Sequence, residues 1–422
     1  MLKNLLKQYS HINWVLADQA MVSGVNFLTG LLLARFLGLH EFGSYTLIWM
    51  AVLFVNSFQM AMISAPMMSI GPKQPLDESD LYYRAVLSQQ ALFSLISFLL
   101  LFCAIKLASV LKPEWPVEGL ALPVALSGTF FQYQDFLRRY FFCRQLAASA
   151  FWNDVISYLG QIVLLVGLFF SIGLNIAGVL WVIASTSFVA IMFGLAKIDF
   201  QLVSKQEFKK ISRRHWMFSK WSTLSALLQW GSGNLVFIIT GSVLGAASVG
   251  VLKAAQNIMA VSHILFQGME NFVPAQASRK ITTLGIVALQ KYINKVVLAG
   301  GLVTISFATV IFIFSNEVLD LVYGDVYSRY GYVLQWFAVI YVFMFLCFPY
   351  RAALRAIENT KAIFQSQVAA SLFVIMFCYA LVQSFELTGA LVSLLTVYLI
   401  VIIYLLVSFS GSVNLLKIQR HV

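Results

Sequence analysis

Residues 14–43 read WVLADQAMVSGVNFLTGLLLARFLGLHEFG, and residues 221–250 read WSTLSALLQWGSGNLVFIITGSVLGAASVG. Each stretch opens on tryptophan, runs through an apolar segment and closes on Leu-Gly-x-x-x-x-Gly. The closing residues are Leu37-Gly38 with Gly43 and Leu244-Gly245 with Gly250, an offset of 207. Phe58-Gln59 followed by Pro66 recurs as Phe266-Gln267 followed by Pro274, an offset of 208, and Arg139 and Arg144 are echoed by Arg351 and Arg355. Matches at a nearly constant offset, each at the same end of corresponding segments, predict a structural repeat.

The segments are built for hydrocarbon. The run from Trp14 to Phe36 exceeds the roughly 20 residues a helix needs to cross a bilayer, and is too long for a signal-peptide core, so it is expected to remain as an anchor. Of the 422 residues, 60% are hydrophobic and 11% charged, and the mean hydropathy is +0.84; soluble domains carry about 25% charged residues. Apolar runs bounded by charges, Gly or Pro predict spans near 14–36, 45–68, 85–110, 119–137, 155–172 and 176–196, then 222–244, 249–274, 293–316, 330–350, 362–384 and 388–410. The expected fold is all-α and integral to the membrane: 12 transmembrane helices in two six-helix lobes. Six is even, so both lobes enter from the same side, and the pseudo-two-fold axis relating them lies along the membrane normal. The lobes are expected at 1–196 and 221–422, joined by a basic cytoplasmic linker at 197–220.

Basic residues set the orientation. With both termini in the cytoplasm, all of the 28 Lys and Arg fall on the inner side except Arg35, Lys106, Lys112, Lys253 and Arg329. Topology therefore accounts for the +11 net charge, and no nucleic-acid partner is implied. Residues 2–9 set Leu2, Leu5, Leu6 and Tyr9 opposite Lys3 and Lys7, as in a short interfacial helix. Lys197 to Lys220 holds seven basic residues among Phe200, Val203, Phe208 and Ile211, which reads as a lipid-hugging linker or a docking segment. The four cysteines, Cys103, Cys143, Cys347 and Cys378, are scattered, and neither a disulfide framework nor a metal site is suggested. Nucleophile triads, phosphate loops and His clusters are absent by inspection, so neither a cofactor nor a catalytic residue is expected.

Polar residues inside spans carry the functional information. At 100° per residue, Lys253, Gln256, Asn257, His263, Gln267, Glu270, Asn271 and Pro274 share an arc of roughly 140° on the eighth helix. Lipid does not tolerate such a stripe. It is either a cavity wall in contact with substrate or a set of interhelical hydrogen bonds. Asp18, Val22, Asn26 and Thr29 share a face of the first helix, with Arg35 at its outer end. Asp18 and Glu270 are candidates for ion coupling, though Asp18 paired with a base at the inner interface is equally compatible. Arg35 is a candidate anion contact or a snorkelling base, and His263 a proton site or a structural hydrogen bonder. Arg139 and Arg351 are expected at matching places near the inner mouth, where they either meet a phosphate or only obey the positive-inside rule.

Asn26-Phe-Leu-Thr-Gly-Leu-Leu-Leu-Ala-Arg35-Phe-Leu-Gly38, continuing to Glu41-Phe-Gly43-x-Tyr45, resembles the first helix and loop of the polysaccharide (Wzx-type, O-antigen) flippases of the multidrug/oligosaccharidyl-lipid/polysaccharide exporter superfamily. Phe136-Leu-Arg138-Arg139-Tyr-Phe-Phe-Cys-Arg144 resembles that family's fourth inner turn, and Arg351 to Arg355 its tenth. The resemblance implies a bacterial inner-membrane transporter. It would move undecaprenyl-diphosphate-linked oligosaccharide to the periplasmic leaflet by alternating access of a V-shaped pair of lobes, with polysaccharide assembly proteins as further partners. A cation-coupled drug antiporter of the same superfamily is the nearest rival, disfavoured because most acids sit near helix ends. A membrane-embedded polymerase or ligase needs a sizeable outer loop, and the longest here runs only from Glu317 to Arg329.

Overall fold

The computed structural model describes residues 2–111, 117–199, 201 and 203–418, leaving outside the description the side chains of residues 2–13, 15, 16, 76, 221, 222, 225, 229, 263–265, 267, 268, 270–272, 275 and 415–418. Every regular element among the described residues is helical, which is how a backbone satisfies its own polar groups in lipid.

The chain packs as two units, one of residues 1–37 and 44–227, the other of residues 38–43 and 228–422. The first contains α1 (Leu2–Gln59), a π turn (Met60–Ser64), α2 (Ala65–Ile70), α3 (Leu76–Leu111), α4 (Ala121–Cys143), α5 (Ala147–Asp154), a π turn (Val155–Leu159), α6 (Gly160–Ile172) and α7 (Ile176–Leu195). Helix α8 (Lys205–Leu244) follows. The second continues through α9 (Ala246–Met259), α10 (Ser262–Ile313), α11 (Ser315–Tyr323), α12 (Asp325–Ser328), α13 (Gly331–Ala356) and α14 (Thr360–Phe373). A π turn (Val374–Cys378) then leads into α15 (Tyr379–Ile418).

The duplicated sequence is duplicated in backbone geometry. Gly38 (φ 76°, ψ 173°) interrupts α1, and Gly245 (φ 85°, ψ 170°) separates α8 from α9. That region of φ/ψ space is open almost only to glycine, so both copies keep one. Gly43 and Gly250 then meet backbone to backbone. A Cβ on Gly43 would lie 1.7 Å from the Ala246 carbonyl oxygen, and one on Gly250 would lie 2.3 Å from that of Leu39. Leu39 and Ala246 are themselves 207 apart, so each copy offers the same carbonyl to the other's glycine.

A second junction is copied at a different offset. The N–H groups of Arg144, Gln145 and Leu146 donate to Tyr140, Phe142 and Phe141, and those of Ile357, Glu358 and Asn359 donate to Ala353, Arg355 and Leu354. Both turns put a non-glycine residue in the left-handed region, Gln145 (φ 58°) and Glu358 (φ 62°). This is one helix-ending motif made twice, and every partner is displaced by 213 residues. Arg351 therefore corresponds to Arg138, not to Arg139 as the spacing of arginines suggested.

Eight of the described helices are long and apolar enough to cross a membrane. Two of these stretches, of 57 and 55 residues, are about twice the necessary length and are interrupted at Gly38 and Glu386. Three expected boundaries differ. Helix α1 runs unbroken from Leu2 to Gly38, so residues 2–9 are not a separate helix. The expected linker is helical from Lys205 and continues into the next span as α8. The eighth span is broken at Ala260-Val261, between α9 and α10, so its polar stripe does not lie on one straight helix.

Candidate functional site

Buried polar residues of the first unit form a network. From α4, Arg138 donates through Nη2 to Asp18 of α1 at 2.6 Å, and its Nε lies 2.7 Å from Asp154 of α5. Both carboxylates are fully buried and the guanidinium nearly so. One turn earlier on α4, Gln134 donates to both Asn153 and Asp154, and Asn153 donates to the Ala190 carbonyl of α7. Arg139 is turned aside and pairs with Asp135 on its own helix at 3.1 Å. A charge without its partner in such a place costs several kcal/mol, so the two carboxylates fix Arg138 and tie α1, α4 and α5 together. Apolar packing continues through Phe136, Leu137 and Phe141 against Tyr82 and Tyr83 of α3.

The second unit holds a hollow instead. A cavity of about 470 Å³ lies among α8, α9, α10, α13, α14 and α15. Phe237, Phe266 and Phe337 line part of it, whereas Lys253, Gln256, Arg351 and Gln367 supply polar groups. Among the described residues that line it, none is Asp or Glu. Lys253 donates from Nζ to Gln256 Oε1 at 2.8 Å, and the Gln256 carbonyl accepts from Tyr341 Oη at 3.4 Å. The Arg351 Nε is buried without a hydrogen-bond partner on the described chain. Ser232 donates to Gln367 Oε1 at 3.3 Å. The result is two cationic side chains on the wall of one polar pocket.

Of the residues picked out from the sequence, Lys253, Gln256 and Arg351 come together in this cavity. Asn257 adjoins them on α9, where its side chain hydrogen-bonds Tyr323. The side chains of His263, Gln267 and Glu270 lie outside the described residues. Arg35 and Asn26 are exposed on α1, and no described ion pair involves Arg35. Asp18 is buried, with its Oδ2 on Arg138. Asp18, Asp135 and Asp154 are buried in the first unit. Pairing with Arg138 and Arg139 makes their burial tolerable. Sequence reading overlooked Gln367 and, as the centre of a network, Arg138. The helix-ending turn shared by Gln145 and Glu358 is the signal that would have aligned Arg138 with Arg351.

Comparison with known proteins places this geometry. A family model described as polysaccharide biosynthesis protein matches residues 32–332. The chain belongs to that family. Members of the superfamily that includes multidrug and lipid exporters share its fold. An inward-facing multidrug resistance MATE family transporter superposes with a TM-score of 0.78 at 13% identity, covering 93% of this chain and 94% of that one. The lipid II flippase MurJ, in an inward closed conformation, gives 0.71 at 17% identity, covering 94% and 87%. A transporter of the same superfamily from Pyrococcus furiosus gives 0.62 at 14% identity, covering 97% and 94%. A search of curated proteins gives no match. This member of the polysaccharide biosynthesis family is therefore an all-α membrane protein with a transporter fold.

Proposed function

We propose that the protein is a flippase that carries undecaprenyl-diphosphate-linked oligosaccharide from the cytoplasmic to the periplasmic leaflet of a bacterial inner membrane, with twelve crossings and both termini in the cytoplasm. The observation that carries this reading is the hollow of the second unit, whose described polar groups are amides, hydroxyls and two cations with no carboxylate among them. Amides and hydroxyls hydrogen-bond sugars, and cations replace the water that an anionic head group loses on leaving the surface. The lipid tail stays in hydrocarbon. Transfer of an anion outward is favoured by about 2.3 kcal/mol per charge for each 100 mV of inside-negative potential, so export does not require a bound coupling cation.

The rival cation-coupled antiporter would draw on the buried acids of the first unit, where Asp18 and Asp154 share the single guanidinium of Arg138. Reconstitution tests the proposal. Vesicles with lipid-linked oligosaccharide in the inner leaflet should expose it to an external lectin at a protein-dependent rate. Protein-dependent efflux of a cationic dye down an imposed proton or sodium gradient, with no exposure of the glycan, would transfer the assignment to the antiporter.

A further inference from the structure

The two copies of the repeat treat the same arginine in opposite ways, and the difference assigns a ligand. The turn that ends α4 and α13 fixes the register at 213 residues through three copied hydrogen bonds. In that register Arg138 corresponds to Arg351, Gln134 to Cys347, Asn153 to Ser366 and Asp154 to Gln367. Around Gly38 and Gly245 the register is 207, which sets Asp18 opposite Ser225. Every group that holds Arg138 thus has a shorter or uncharged counterpart in the second copy. Both carboxylates are gone, and the amides of Gln134 and Asn153 are replaced by a thiol and a hydroxyl.

Two consequences follow from elementary chemistry. Shorter side chains leave volume, and a cavity of about 470 Å³ lies where Cys347, Arg351 and Gln367 line one wall. Lost carboxylates leave charge, and the Arg351 Nε is buried without a partner on the described chain. A second cation then enters the same cavity from α9, where Lys253 stands at the position of Thr46 in the first copy and gives one of its donors to Gln256 at 2.8 Å. In the first copy Arg138 meets two carboxylates, whereas the second holds two positive charges with no acid among the described lining residues.

We infer that Arg351 and Lys253 form a binding site for a phosphate-class anion, the diphosphate type above all, in the second unit. The assignment rests on the export reading for its physiological ligand. A guanidinium offers a planar fork that matches two oxygens of one phosphate, and an ammonium supplies a movable point charge for the next. Gln367 supplies an amide to the same wall and leaves Arg351 uncompensated. In the first unit Arg138 is a structural residue and binds no ligand.

The test uses the full chain in lipid nanodiscs, with inorganic pyrophosphate titrated by calorimetry. Wild-type protein should bind it, and Arg351→Gln and Lys253→Gln should each weaken binding at least tenfold. The decisive variant is Gln367→Asp, which restores the carboxylate of the first copy and should abolish pyrophosphate binding although Arg351 is intact. Lys361→Gln, at an exposed position on α14, should leave binding unchanged, and thermal melts of every variant report folding separately. Undecaprenyl diphosphate placed in the nanodisc should compete with pyrophosphate if the anion is a lipid head group; without competition the site serves a free anion. Absence of wild-type binding, or undiminished binding in folded Arg351→Gln or Gln367→Asp protein, overturns the site. Glycan flipping that persists in that case leaves the export reading standing. Pyrophosphate binding without flipping overturns the export reading and leaves the site.

Discussion

Arg138 and Arg139 are neighbours in sequence with unlike roles, and the burial of their partners decides which matters. Replacing Arg138 with Gln leaves Asp18 and Asp154 charged and unpaired inside the first unit, a loss of about 3–5 kcal/mol where a buried pair is broken. The expected outcome is a sharp fall in melting temperature and in monodisperse yield. Arg139→Gln breaks only a partly exposed i,i+4 pair, of the kind that contributes about 0.3–0.5 kcal/mol, and its melt should stay within a few degrees of wild type. Equal losses would mean that the Asp18–Arg138–Asp154 network does not hold the helices. The sequence singled out Asp18 and Arg139, because a charge in or beside an apolar run stands out. It did not expose which arginine faces inward, since adjacent residues on a helix differ by 100° and only the packing of α1 and α5 selects between them.

At the scale of elements, the interruptions at Gly38 and Gly245 fall where glycine permits them, whereas those at Glu386 and Ala260-Val261 do not. Gly245 occupies backbone space that an alanine enters only with strain, so Gly245→Ala should destabilise the protein by roughly 1–3 kcal/mol. Glu386 (φ 51°, ψ −133°) makes the break inside α15 without that freedom. Glu386→Gly should therefore raise the melting temperature, and a drop would show that its side chain contributes more than the strain removes. Breaks at these places were legible as gaps between apolar runs. The break at Ala260-Val261 was not, having neither Gly nor Pro to mark it. The helical start of α8 was equally hidden, because a basic, amphipathic stretch reads as a linker until its partners are known. Those partners are in the first unit: Tyr82 shares a 2.8 Å hydrogen bond with His215, and Gln89 donates to Ser212 at 3.0 Å. Burial, reinforced by the neighbouring Arg214, pushes the His215 imidazole down to about 4. A histidine depressed in the folded state binds more protons when released. Its contribution is complete above the ordinary value of about 6.5 and is lost as pH falls towards 4. Hydrogen-exchange protection factors across residues 205–220 should fall over that window, and His215→Gln should flatten the response.

For the whole molecule, the repeat and its membrane character were plain from composition and from the Leu-Gly-x-x-x-x-Gly echo, and the family comparison agrees with both. The alignment of the copies was not, because the offset drifts from 207 to 213 between the first glycine and the fourth turn. Only hydrogen bonds at a turn reveal where the drift ends. The asymmetry of the copies, one closed by carboxylates and one hollow, is invisible without that register. A bulky residue at Gly233 offers a direct check, since a Cβ there meets no atom within 4 Å and Gly233 lines the cavity. Gly233→Phe should fold normally and slow glycan exposure in vesicles at least tenfold, whereas full activity would mean that cargo bypasses the second unit. The size of the hollow carries a last consequence. About 470 Å³ is the room taken by a single small ligand, so under the proposed export function the pocket would grip the junction between lipid and glycan and not a whole repeat unit. Donors bearing one sugar and donors bearing many should then compete for the carrier with nearly equal potency, and enzymes upstream could lengthen or branch the glycan without any matching change in these side chains.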